Sequence, residues 1–127
     1  MTCPEDLFDL NFFREDPVPF YKFARQLYFP GNGKDRIRPS DSHKLLALLE
    51  KNNMLLRCYT QNIDGLEEDA GVTSKRVVYA HGSLRWATCS KCKRRSERKD
   101  MEDDILAGRV ALCSSSSTKV PKAAIKR

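Results

Sequence analysis

Two short apolar runs joined by one short helical segment constrain this chain more than anything else in it. Residues 54–60 read as a largely buried strand of the kind found inside a parallel sheet. A helix follows from about Asp64 to Ala70 and stops at Gly71, whose missing side chain permits a left-handed turn. Val77, Val78, Tyr79 and Ala80 form a second strand that ends at His81. Strand, helix, strand is the order of a βαβ unit. It puts Gln61, Asn62, Asp64 and His81 at strand carboxyl ends, the edge where open parallel sheets bind ligands.

The flanking sequence supplies helices. Phe20, Phe23, Ala24 and Leu27 fall at helical spacing, with Asp16 and Pro17 just upstream where a cap and an early proline belong. Residues 30–35 end that helix in a polar turn. Ser40-Asp41-Ser42 caps a second helix, with Leu45, Leu46, Leu48 and Leu49 as its expected buried side and Asn52-Asn53 at its close. Residues 101–106 read as a further short helix. From Ser114 onward, four serines and a lysine-rich end read as a disordered polar tail over 114–127.

A chain of 127 residues is about one small domain. With 40% hydrophobic and 31% charged residues it reads as globular, and no apolar run is long enough to span a membrane. The acidic amino terminus lacks the basic and apolar regions of a secretory signal, so an intracellular setting with reduced or metal-bound thiols is expected. The net charge of +6 is unevenly spread: 1–74 hold nine basic and twelve acidic side chains, 75–127 fourteen and five. The densest run, 91–99, reads first as a solvated face, and no direct nucleic-acid contact is expected from it.

Cys89, Cys92 and Cys113 offer three of the four ligands of a zinc-ribbon spacing. Two thiolates two residues apart can grip one tetrahedral Zn²⁺ from a single tight turn. The expected fourth position, 116, is a serine, a poor substitute. The alternatives are a metal held by these three with a fourth ligand from elsewhere, such as Cys3, or three reduced cysteines in a loose segment. Cys58, on an apolar strand, reads as a small core residue.

The run Thr60-Gln61-Asn62-Ile63-Asp64, followed by His81-Gly82-Ser83 and then Ala87-Thr88-Cys89 and Cys92, resembles the sirtuins, NAD-dependent protein-lysine deacylases. Supporting pieces are Phe12-Phe13-Arg14-Glu15-Asp16-Pro17 with Pro19-Phe20, Pro39-Ser40 with His43, Leu55-Leu56-Arg57, and Ala70-Gly71. The flavour is that of the nuclear and cytoplasmic branch. Taken singly, each site residue has an ordinary reading: Asp64 as a helix cap, Gln61 and Asn62 as strand terminators, His81 as a structural imidazole. Their joint order and spacing carries the resemblance.

That resemblance implies a fold, a chemistry and a set of roles. The fold is α/β: an incomplete Rossmann-like parallel sheet with helices, as a partial catalytic core over 1–112, plus part of a small zinc-ribbon module over 86–113. The chemistry is transfer of the acetyl group of an acetyl-lysine to the ADP-ribose of NAD, with release of nicotinamide. His81 maps to the general base, a role suited to an imidazole, whose ordinary pKa is about 6.5. Gln61 and Asn62 map to residues that hydrogen-bond the nicotinamide ribose and order the site, Asn62 standing with His81 among the catalytic residues, and Ile63 and Asp64 map to the nicotinamide pocket. His43 reads as structural, and Ser83 and Trp86 as packing or rim positions. Zinc in such proteins is structural. Expected partners are acetylated proteins, histones and other chromatin proteins among them, in the nucleus or cytoplasm.

Parts of such an enzyme are missing. No G-x-G-x-x-G opens a helix to hold a pyrophosphate, the only close glycines being Gly31 and Gly33. The chain therefore reads as truncated at both ends, with weak or no activity by itself. The alternatives are a non-catalytic interaction protein derived from such an enzyme, or a basic zinc module contacting nucleic acid.

Overall fold

The computed structural model describes residues 4–30, 35–113 and 122–123. Gly31, Gly33, Cys3 and Ser116, and most of the 114–127 tail, lie outside the described residues.

A 3-10 turn over Pro4–Phe8 leads into α1 (Leu10–Glu15) and α2 (Val18–Tyr28). Asp9 caps α1 by accepting the backbone N–H groups of Asn11 and Phe12, each at 2.9 Å. Such a cap is worth about 1 kcal/mol. Pro17 and Pro19 begin α2, where a missing N–H costs nothing. The helix expected here forms, but its buried stripe is rotated. Phe20, Tyr21, Ala24 and Tyr28 are buried, whereas Phe23 and Leu27 are only half-buried. The aromatic rings of Phe13, Phe20 and Tyr21 meet edge-on or tilted at centroid distances of 5.4–6.3 Å. Leu84, Ala87, Met101 and Ile105 complete this core from the other end of the chain. Ile105 belongs to α5 (Glu102–Leu106), which packs on α2, so the expected helix over 101–106 is present.

Helix α3 (Asp41–Lys51) starts at Ser40, with His43 completing a capping box. The expected buried side is only half covered: Leu46 and Leu49 are half-buried, no residue of α3 is fully buried, and Leu45 and Leu48 are each 54% exposed. The helix packs on α4 (Leu66–Asp69), and its Glu50 is tied to Thr73 and Arg76.

The βαβ unit is present as β1 (Cys58–Thr60), α4 (Leu66–Asp69) and β2 (Val77–Tyr79), with β1 and β2 parallel and Cys58, Tyr59 and Thr60 opposite Val77, Val78 and Tyr79. The strand is much shorter than the 54–60 expectation. Met54, Leu56 and Tyr59 are 72%, 79% and 75% exposed. Among the described residues this strand has one paired neighbour and so an open edge; the side chains of Met54, Leu56 and Tyr59 lie bare where a wider, covered sheet would bury them. Cys58, expected in the core, is half-buried for the same reason.

A second sheet has the order β4–β3–β5, all antiparallel, from β3 (Trp86–Cys89), β4 (Arg95–Glu97) and β5 (Lys122–Ala123). Within the segment expected as a disordered tail, Lys122 and Ala123 thus pair with Cys89 and Thr88. No described helix is long and apolar enough to cross a membrane.

Candidate functional site

The backbone leaving β1 is pinned at nearly every residue. Thr60 accepts the Ala80 N–H on its carbonyl (2.9 Å), extending the ladder by one rung, and the Asn62 N–H on its hydroxyl (3.1 Å). The Leu84 N–H donates to the Ile63 carbonyl (2.8 Å), and Asp64 Oδ1 accepts the Leu66 N–H (3.0 Å) to start α4. Asp64 is therefore a helix-starting residue as well as a site candidate. A carboxylate has about four lone-pair positions, so this one bond does not exhaust it.

Gly65 makes the turn possible. Its φ is +73°, and a Cβ there would sit 2.3 Å from Arg85 Cγ and 2.5 Å from Arg85 Cδ. Arg85 lies across the turn, donating to the Gly65 carbonyl at 3.1 Å and pairing with Glu68 and Asp69. Arg98 donates from one nitrogen to both Asp69 oxygens at 2.8 and 2.9 Å, and Arg36 adds a third contact at 3.1 Å. Three guanidinium groups thus converge on Asp69 and tie α4 to segments on both sides of it in the chain.

This scaffold brings the expected residues together. Gln61, Asn62, Ile63 and Asp64, from the end of β1, and His81, from the end of β2, line a single cleft of about 530 Å³. Gln61, Asn62 and His81 are exposed at its rim, while Ile63 and Asp64 are half-buried. The opposing wall is apolar: Phe8, Phe23 and Leu27. Those three had no site role in the sequence reading. Phe23 and Leu27 fit an ordinary helical core stripe, and the rotation of α2 alone turns them into the cleft. A cavity of this size with an apolar wall and a few convergent polar groups is what small-molecule sites look like.

The other candidates do not line the cleft. His43 Nδ1 is 2.7 Å from Ser40 Oγ and accepts the Ser40 N–H at 3.2 Å, so it is structural in the helix start. Ser83 is fully buried, and Trp86 packs edge-on against Tyr79 with the Arg95 guanidinium 4.3 Å from its ring centre.

The sulfurs of Cys89, Cys92 and Cys113 all lie within 4.8 Å of one another, Cys92 and Cys113 at 3.5 Å. Ligands of one tetrahedral Zn²⁺ at Zn–S distances near 2.3 Å are about 3.8 Å apart. The spacing therefore suits a metal ion. The turn that gathers them is tight: Cys89 N–H bonds to the Arg94 carbonyl, Lys93 adopts φ +61°, and the Cys92 N–H points at Cys89 Sγ (3.5 Å). At Cys92 the Arg94 backbone bond favours the thiolate, but hydrogen bonds with Cys113 and Cys89 outweigh it and raise the thiol pKa. A bound cation would reverse that balance.

Comparison with known proteins places the sequence among related ones. The model of the Sir2 family matches residues 1–125. Over 110 residues (87% of the chain), the sequence is 44% identical to the NAD-dependent histone deacetylase sirtuin-1 of Drosophila melanogaster and 46% to the NAD-dependent protein deacetylase sir-2.1 of Caenorhabditis elegans. Identity to the NAD-dependent protein deacetylase sirtuin-3 of Mus musculus is 44% over the same length. The chain spans 12%, 17% and 31% of these relatives.

Proposed function

Since the chain belongs to the Sir2 family, we propose that it carries the nicotinamide-ribose part of an NAD-dependent protein-lysine deacetylase site. One observation supports this above all: the amide, carboxylate and imidazole side chains from two strand ends line the same cleft.

The cleft fits the group chemically. Phe8, Phe23 and Leu27 offer apolar surface to an aromatic ring, and the Asp64 carboxylate can accept an amide N–H beside Ile63. NAD, when bound, supplies a labile nicotinamide–ribose bond and a ribose that accepts the acetyl group. Asn62 and Gln61, exposed at the rim, hydrogen-bond ribose hydroxyls and hold them in register. His81 takes a proton from such a hydroxyl, so its ring must be neutral to begin the step. The substrate class is acetylated lysine on a protein. Histones and a nuclear setting are the favoured target and place, because relatives from Drosophila melanogaster and Schizosaccharomyces pombe are named histone deacetylases. The three-cysteine cluster holds a structural Zn²⁺ and takes no part in the chemistry.

The test has two readouts. Nicotinamide added to the isotopically labelled chain is expected to shift the resonances of Asn62, Asp64 and His81 while leaving those of β4 unmoved. In the longer protein, nicotinamide release from NAD with an acetyl-lysine peptide is expected to disappear in His81→Ala. Nicotinamide shifts scattered over the surface, or full release activity in His81→Ala, would overturn the reading.

A second reading, a non-catalytic partner of a longer relative, draws on the bare apolar side chains of Leu45, Leu48, Leu56 and Tyr59. Co-purification with such a relative, without nicotinamide release, would favour it.

A further inference from the structure

Beside the cleft, and sharing only Asp64 with it, lies a second group of potential ligands. His43 from the first turn of α3, and Asp64 and Glu67 flanking the start of α4, present one ligand atom each, all within 4.8 Å of one another. Two features separate this group from an ordinary cluster of acids on a surface. Glu67 is only 3% exposed, and its Oε2 is buried with no hydrogen-bond partner. The ion pairs of the neighbouring acids do not include it: Arg36 and Arg98 pair with Asp69, and Arg85 with Glu68 and Asp69.

A buried carboxylate oxygen without a partner is costly to keep, and a buried charge is normally paired or bound to a metal. We propose that His43, Asp64 and Glu67 bind a divalent cation of the Mn²⁺ or Zn²⁺ type. One imidazole with two carboxylates is a borderline-to-hard donor set suited to these ions, and solvent completes the coordination. The site is distinct from the three thiols, which are soft donors at the other sheet. Its effect follows from where its ligands sit. Asp64 also lines the cleft, so the ion ties α3 to the segment that forms the cleft wall. This inference does not require the deacetylase reading, because the ion is held by protein groups alone.

Mn²⁺ is the probe, since it favours oxygen and imidazole over thiolate. The whole chain is titrated with Mn²⁺ and the free ion followed by electron paramagnetic resonance. One saturable site per chain is expected. Glu67→Gln and His43→Ala should each weaken it at least tenfold, and Asp41→Asn, an exposed acid on the same helix, should leave it unchanged. Circular dichroism checks that the variants fold. Should they unfold, the unaltered chain still decides: bound Mn²⁺ must broaden the His43 ring protons selectively. Absence of saturable binding up to about 1 mM, equal binding in Glu67→Gln and the parent, or no broadening at His43 would each overturn the proposal.

Discussion

The turn at Gly65 offers the sharpest test of how the cleft is held. Gly65→Ala imposes two separable costs. A residue with a Cβ in the left-handed region loses about 1–2 kcal/mol. The new methyl would also sit 2.3 Å from Arg85 Cγ, and because that atom is in the middle of the side chain, the whole guanidinium arm must leave. Its departure removes the bond to the Gly65 carbonyl and the pairs with Glu68 and Asp69. Charge-assisted bonds of this kind are worth about 1.5–3 kcal/mol when buried. Arg85 is 24% exposed, and exposed pairs are worth about 0–1 kcal/mol, so roughly 1 kcal/mol is the reasonable share. The total is about 2–3 kcal/mol, or roughly 8–12 °C in Tm at about 4 °C per kcal/mol for a chain of this size. Urea unfolding of a double-mutant cycle separates the terms. In an Arg85→Ala background the clash is gone, and Gly65→Ala should cost only the backbone term, giving a coupling energy of about 1 kcal/mol. A cycle that is additive within about 0.3–0.5 kcal/mol would refute the claim that Arg85 and Gly65 shape each other.

Other perturbations probe other parts of the argument. Glu50 accepts the Thr73 side-chain and backbone bonds at 2.6 and 2.8 Å and pairs with Arg76, and these hold its carboxyl below the ordinary value. A carboxyl depressed in the folded state stabilises above its unfolded pKa, near 4.3, and loses that contribution as pH falls through the lower folded value; Glu50→Gln should flatten this part of the acid-unfolding profile, and parallel profiles would refute it. Leu56→Ala should change stability by no more than about 0.5 kcal/mol because the side chain is 79% exposed, whereas a loss of about 2–5 kcal/mol would mean that the strand is buried after all. Zn²⁺ at a hundred times its Kd should stabilise the chain by about 2.7 kcal/mol. The gain should shrink as pH falls and the thiolates protonate, and an equal gain in Cys113→Ser would rule out the three-thiol site.

Much of the site was legible in one dimension because its residues are local. Gln61 to Asp64 form one continuous run, and His81 follows the next strand, so a parallel βαβ pairing carries all five to one edge whatever surrounds the unit. The apolar wall was not legible. Phe23 and Leu27 share a helical stripe with Phe20 and Ala24 in sequence, and only packing against Leu84, Met101 and Ile105 selects which edge of that stripe is buried and which faces the cleft. Likewise, periodicity reads Leu45 and Leu48 as apolar and helical but says nothing about whether a partner surface exists.

Local chemistry, then, was decided by the sequence: which segments turn, cap and pair, where a glycine must stand, and which polar groups reach a common rim. Such features depend on neighbours a few residues apart, whose geometry the backbone dictates. Burial and charge pairing were decided by tertiary structure. The convergence of Arg36, Arg85 and Arg98 on Asp69, with Glu67 left unpaired beside them, joins residues up to 33 positions apart. Which partner each charge meets depends on distances that exist only once the helices and the two sheets have come together.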